Sequence, residues 1–450
     1  MFRDREYLRN LFRIAVPIML QNLVSSSLNA VGVIMIGQLG EKAVAGVGLA
    51  NQIFFLLTLM LFGISSGSAI FTAQLWGRRD VPSIHKVLGL CLALGCGAGL
   101  LFTLIAVIFP QAVLSLYTED PAVIALGSQY LHIIGISYLA TAITFSFASV
   151  LRSTGDVRVP MAVSITAICL DGLLNYTLIF GKFGFPALGV QGAALGTCLA
   201  RFFECILLVS VTYLTRRTAA AHPRELLGAR PDFIRRFLAT VLPAAFNETL
   251  WSLGFTTYNL IYAHISTEAI AAVNIASTIE SLAFVIFFGI STASAILIGN
   301  RIGANEEEKA FTYARRALAL GAGLALIVGA IIITTSGAIL TLYKVSPVVT
   351  GYARNILIVM GCVLWIKVSN LTVVIAILRS GGDTRFSLVL DSGSIWLIGI
   401  PLALLGAFVL HLPIYYVVLI VMIEEACKLA VGLFRFRSRK WINNLAQSAG

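Results

Sequence analysis

Residues 151–158 read LRSTGDVR, and residues 378–385 read LRSGGDTR. Outward from this pair the chain repeats itself. At an offset of 226 residues Pro17 falls on Pro243, GISSGSAI (63–70) on GISTASAI (289–296), and Gly77 on Gly303. Tyr117 and Pro121 fall on Tyr343 and Pro347, and Gly135 on Gly361; one inserted residue then brings the two polar motifs into register. Chance matching of apolar sequence gives scattered Leu and Ala identities, not an eight-residue polar motif in step with paired prolines. The chain is an internal duplication.

Composition fixes the solvent of that duplication. Of 450 residues 58% are hydrophobic and 12% are Asp, Glu, Lys or Arg, with a mean hydropathy of +0.92, so the polar coat of a soluble domain is missing. Stretches long enough to cross a hydrocarbon core of about 30 Å as helices are expected at 14–36, 46–73, 88–109, 123–149, 160–180, 190–214, 238–263, 270–298, 317–340, 353–377, 387–409 and 413–433. Barrel strands would be about ten residues long and alternating, which these are not. The expected fold is an all-α membrane protein with twelve transmembrane helices. Six crossings per repeat start the second repeat on the same side as the first, giving two parallel six-helix lobes. The expected division is an N-lobe at 1–214, a cytoplasmic linker at 215–236, a C-lobe at 237–433 and a basic tail at 434–450.

Charge placement sets the expected orientation. The N-terminus, the even-to-odd connections and the tail hold 25 of the 32 Lys and Arg residues, against Lys42, Lys182, Lys344 and Arg354 on the other side. Both termini are expected to be cytoplasmic, and the net charge of +11 is topogenic, so no nucleic-acid partner is expected. The basic start lacks a cleavage-site pattern, and no cleaved signal peptide is expected. The seven cysteines fall inside apolar runs without metal-type spacing and read as small apolar fillers.

Around the loop motifs stand further signatures: VPIMLQNLV, IMIGQLGEKAVAGVGLANQ, NYTLIFG and LGVQGAALGT in the first half, and LPAAFNETLWSLG, AIAAVNIA and IGNRIGANEEEKA in the second. Together they resemble the multidrug and toxic compound extrusion (MATE) family over essentially the whole chain. The resemblance implies secondary active efflux of cationic or amphipathic small molecules, in exchange for protons or sodium ions, by alternating access. It further implies a monomer in the lipid of the cell inner (plasma) membrane, with no cofactor beyond the coupling ion.

Coupling within lipid asks for buried carboxylates, because an ionised group at mid-bilayer costs at least about 2.5–3.5 kcal/mol. Asp171 and Asn175 lie one turn apart on one face of the fifth helix, where an acid and an amide oxygen suit a proton or a small hard cation. The family tends to carry Asn first and Asp second, and an Asp where this chain has Gly32. Glu248, five residues after Pro243, resembles the family's glutamate of the seventh helix, with Asn247 adjacent and Trp251 offering a π face to a cation. Sodium, if bound, is expected at Asp171, Asn175 or Glu248. Glu280 and Lys367 are expected to pair across the C-lobe, as a coupling or a structural pair, and Asp391 is a further candidate. Arg201 with Glu204, and Glu424 with Lys428, read as structural pairs within single helices; Glu425 has no evident partner. The paired loops place Arg152, Asp156, Arg379 and Asp383 as gating contacts at cytoplasmic helix ends, with Gly155 and Gly382 permitting tight turns.

No HExxH, GxSxG or Walker pattern occurs, so an enzyme or an ATP-driven pump is not expected. QLWGRRD (74–80) superficially matches the basic loop of major facilitator proteins, but the second half lacks it. A lipid-linked oligosaccharide or lipid flippase of the wider superfamily is the main alternative, and would be expected to have a more cationic cavity. A non-transporting receptor or scaffold would need a soluble domain that no loop is long enough to form.

Overall fold

The computed structural model describes residues 5–341, 343 and 345–447; Lys344 lies outside them. The helices are α1 (Arg5–Gly37), α2 (Glu41–Gly77), α3 (Val81–Ile108), α4 (Pro121–Gly135 with Tyr138–Ser153), α5 (Arg158–Phe180), α6 (Val190–Leu214), α7 (Pro231–Ile265), α8 (Thr267–Gly303), α9 (Glu307–Leu340), α10 (Pro347–Arg379), α11 (Thr384–Val409) and α12 (Ile414–Arg437). The two parts of α4 meet at a bend of 49°. There Thr103 donates to Gly135 O at 2.9 Å, satisfying a carbonyl freed by the break.

Among the described residues nine helices are long and apolar enough to cross a membrane, and α4 as one bent span makes ten. The remaining two, α7 and α12, are 35 and 24 residues long but carry an unusual polar load. In α12 it is Glu424, Glu425 and Lys428; in α7 it is Asn247, Glu248 and a run of hydroxyl side chains. Those two helices carry the candidate site.

Two compact units account for the packing: Pro17–Val241, and Met1–Val16 with Leu242–Gly450. The boundary therefore differs from the expected one, since residues 215–236 pack with the first unit. Both α1 and α7 change unit beside an internal proline, Pro17 and Pro243. Proline removes one helical hydrogen bond without ending either helix, so a continuous helix serves both units. At their starts, Tyr7 packs on Tyr313 (ring centroids 4.7 Å apart) in one unit. Phe233, its equivalent under the repeat, packs on Phe71 (6.0 Å) in the other.

Each unit has its own apolar core, around Leu57, Leu61, Leu131 and Tyr138 in the first and Phe287, Ile356, Leu364 and Val417 in the second. Without a hydrophobic drive between helices in lipid, close contact comes from small residues. A methyl group added to Gly46 of α2 would lie 2.9 Å from Gly127 N of α4.

The duplicated loops end α4 and α10 identically. Gly155 and Gly382 take φ of 86° and 79°; Gly155 N–H donates to Arg152 O and Asp156 N–H to Leu151 O, as Gly382 does to Arg379 O and Asp383 to Leu378 O. This 5→2 and 6→1 pattern is a Schellman end, which explains the glycine the motif keeps. The helix starts are duplicated too: Asp120 accepts from Ala122 N–H at 2.9 Å ahead of Pro121, and Ser346 accepts from Val349 N–H at 3.3 Å ahead of Pro347. The units diverge in winding. The end of α10 (Thr372–Arg379) and two segments of α11 (Ile395–Gly399 and Leu405–Val409) are π-helical, a rare winding that is frequent at functional sites.

Candidate functional site

The densest polar node of the second unit joins α7, α11 and α12. Asn247 of α7 donates through Nδ2 to Asp391 Oδ2 at 2.9 Å and accepts at Oδ1 from Ser392 Oγ at 2.7 Å. The other Asp391 oxygen lies 3.2 Å from Lys428 Nζ of α12. Lys428 also reaches Glu424 at 2.9 Å and Glu425 at 3.7 Å, with a side chain only 4% exposed. Glu424, equally buried, accepts from Ser394 Oγ at 2.7 Å. One ammonium thus faces three carboxylates.

A second layer joins α8 and α10 to this node. Lys367 and Glu280 pair at 2.5 Å. One turn on, Asn370 donates through Nδ2 to Glu425 Oε2 at 2.6 Å and to the Glu425 carbonyl at 2.8 Å. Asn370 is 4% exposed and its Oδ1 is buried with no hydrogen-bond partner. From α7 the Tyr258 hydroxyl, also buried and unpartnered, enters beside Gly399 and the Glu424 side chain. A Cβ at Gly399 would lie 1.7 Å from that hydroxyl, so any larger residue there would have to displace the Tyr258 side chain.

Glu248 is held apart from this node. Its Oε1 lies 2.6 Å from Arg379 Nη1, and the two side chains are 12% and 4% exposed. Arg379, expected as a gating contact at a loop, is instead a buried partner of the seventh-helix carboxylate. It closes the π-helical turn of α10, a winding that does not follow from a 3.6-residue pattern. Trp251 is exposed and stacks on Phe255 with centroids 5.8 Å apart.

In the first unit the candidates are sparser. Asn175 donates to Asp171 Oδ1 at 3.1 Å and to Thr197 Oγ1 at 3.4 Å, leaving its own Oδ1 buried and unpartnered. Arg201 does not settle as the within-helix partner of Glu204. Its guanidinium lies 3.9 Å from the Phe54 ring centroid and donates to Thr141, while Glu204 accepts from Ser164 Oγ at 2.5 Å and Ser164 accepts from Gln21 Nε2 at 3.0 Å. Gln21 and Ser164 are the repeat equivalents of Asn247 and Asp391.

At the loops, Asp156 pairs with Arg217 at 3.2 Å and Asp383 with Arg435 at 2.7 Å. Arg152 is half-buried, with Glu204 as its charged neighbour. Outside the spans, the Asp120 carboxyl is held below its ordinary value, chiefly by the Ala122 N–H and further by Lys42 at 3.5 Å. Among the described residues no group of three or more His, Cys, Asp or Glu side chains converges as a metal site.

Sequence reasoning missed Asn370, Ser394 and Tyr258 and gave Glu425 no partner. The available signal was polar residues on apolar helices, Asn370 three residues after Lys367 and Glu425 three before Lys428.

Comparison with known proteins identifies the frame that carries these residues. The MatE family pattern matches residues 17–177 and again 243–405. The chain belongs to the MATE family of membrane transporters. The two matches begin 226 residues apart, the offset of the sequence repeat. Among relatives, the probable multidrug resistance protein NorM of Thermotoga maritima is 26% identical over 398 residues, covering 88% of this chain and 85% of that one. The uncharacterized transporter YisQ of Bacillus subtilis is 26% identical over 437 residues, covering 96% and 95%. A MATE crystal structure in the bent conformation superposes with a TM-score of 0.86 at 19% identity, covering 96% of each chain. A MOP superfamily transporter from Pyrococcus furiosus, described as having a reversed-polarity binding pocket, gives 0.83 at 19% over the same share. Like these MATE proteins, the chain is a transporter with the twelve-helix fold and not an enzyme.

Proposed function

We propose that this MATE protein is a multidrug efflux antiporter, exporting cationic or amphipathic small molecules in exchange for protons or sodium ions by alternating access. The observation that carries this reading is a carboxylate excess. Among the described residues of α7 to α12, the ion pairs of Glu248, Glu280, Asp391, Glu424 and Glu425 are with Lys367, Arg379 and Lys428. Such an imbalance is costly in lipid, and taking up a cation relieves it. The same imbalance favours export of cations over the flippase alternative, which calls for a cationic cavity. The names of the relatives, multidrug resistance proteins, support efflux of varied compounds.

The basic connections support cytoplasmic termini and a place in the cell inner membrane, and we take the transporter to be a monomer. The test is ethidium transport by the purified protein in liposomes under an imposed proton or sodium gradient, one at a time. One gradient is expected to drive transport against the ethidium gradient. If neither does, the antiport reading fails.

A further inference from the structure

We propose that Glu425, paired with Asn370, is a proton-binding site and carries the coupling proton, an assignment that rests on the antiport reading above. Lys428 cannot neutralise Asp391, Glu424 and Glu425 together. Each of the three has one hydrogen-bond donor besides the ammonium, Asn247 for Asp391, Ser394 for Glu424 and Asn370 for Glu425, but the ammonium itself lies 3.2 Å from Asp391 and 2.9 Å from Glu424. Glu425 lies farthest from the ammonium, at 3.7 Å.

Asn370 supplies the independent sign of a proton. Its Nδ2 already donates to Glu425 Oε2 and to the Glu425 carbonyl, while its Oδ1 stays buried without a donor. An ionised Glu425 has only acceptors to offer that oxygen. A protonated Glu425 supplies an O–H, and acid and amide then close a ring of two hydrogen bonds: Nδ2–H to the acid carbonyl, and acid O–H to Oδ1. One proton is added to one carboxylate, no other bond changes, and the node loses one of its two excess negative charges.

The neighbouring ionisable groups leave this role to Glu425. Tyr258 and Tyr262 of α7 remain neutral hydroxyls at ordinary pH, Glu280 of α8 is engaged by Lys367 of α10, and Asp391 of α11 shares Lys428. The Lys428 ammonium already stands among the three carboxylates, which leaves this site to a proton.

Infrared difference spectroscopy on the full-length protein in liposomes, titrated from alkaline to acid pH, tests this directly. A buried carboxylic-acid carbonyl band is expected in the wild type, absent in Glu425→Gln and still present in Glu248→Gln. Asn370→Val is expected to move that band to higher frequency, because the acid loses its hydrogen-bonded partner. In parallel, proton-driven ethidium transport in Glu425→Gln is expected to fall at least about tenfold. The proposal is overturned if the wild type shows no such band, if the band survives Glu425→Gln, or if Asn370→Val leaves its frequency unchanged. Transport driven by sodium alone also overturns it while sparing the antiport reading; transport driven by neither gradient removes both.

Discussion

Two three-helix nodes occupy equivalent places in the duplicated frame. In the first unit Gln21 of α1 donates to Ser164 of α5, which donates to Glu204 of α6. In the second, Asn247 of α7 donates to Asp391 of α11, which pairs with Lys428 of α12. The helices and the order of contact are the same. The chemistry is not: an amide, a hydroxyl and one carboxylate stand where an amide, a carboxylate and an ammonium stand, with Glu424 and Glu425 added beside the latter. Duplication preserved where these helices touch and left free what touches there, so only one unit acquired a heavy charge load.

The sharpest way to break this contrast is Lys428→Met, which leaves the buried Glu424 and Asp391 without their cation. Loss of one partner of a buried ionic network costs about 3–5 kcal/mol, and adding Glu424→Gln should recover part of it. Thermal melting in detergent measures both; a melt equal to wild type would show that charge does not distinguish the nodes. Next comes Glu248→Gln, which removes the carboxylate from Arg379. A destabilisation of about 3 kcal/mol is expected, together with loss of gradient-driven ethidium efflux while membrane insertion is kept. Normal efflux would remove Glu248 from the coupling machinery.

In the sparser node, Glu204→Gln should cost about 1 kcal/mol or less, since the amide oxygen still accepts from Ser164. A loss as large as that of Lys428→Met would erase the contrast. The smallest expected effect lies at the helix caps. Asp120 has its pKa depressed on folding, so its contribution is present above the ordinary carboxylate range and is lost as pH falls through the folded value. Asp120→Asn should therefore flatten the acid side of the stability profile slightly. The matching cap, Ser346, does not titrate, and Ser346→Asn should leave that side unchanged.

The frame was readable because apolar length and internal repetition are properties of single segments. Pro17, Pro243 and the two glycine-centred loops mark the duplication without any knowledge of contacts. The pairing of Lys367 with Glu280 was also within reach, as two opposite charges stranded at similar depth. The partner of Glu425 was not, because Asn370 lies on another helix and an uncharged amide gives no warning in hydropathy. Arg379 misled for a different reason: its neighbours read as a loop, yet the chain is still helical there and wound too widely for a regular pattern to reveal its direction. Arg201 shows the limit of spacing rules, since an aromatic face and a hydroxyl on other helices drew it from the carboxylate three residues away.

The exchanged starts of α1 and α7 bear on how such a chain is made. Residues 5–16 leave the ribosome well ahead of the rest of their unit, which resumes at Leu242, and Tyr7 waits for Tyr313. The first unit, for its part, is incomplete until Phe233 and Phe237 arrive to cover Phe71. Neither repeat, cut at the connection between them, carries all of its own unit. A single repeat with this geometry would need the helix start of a second copy to complete its unit.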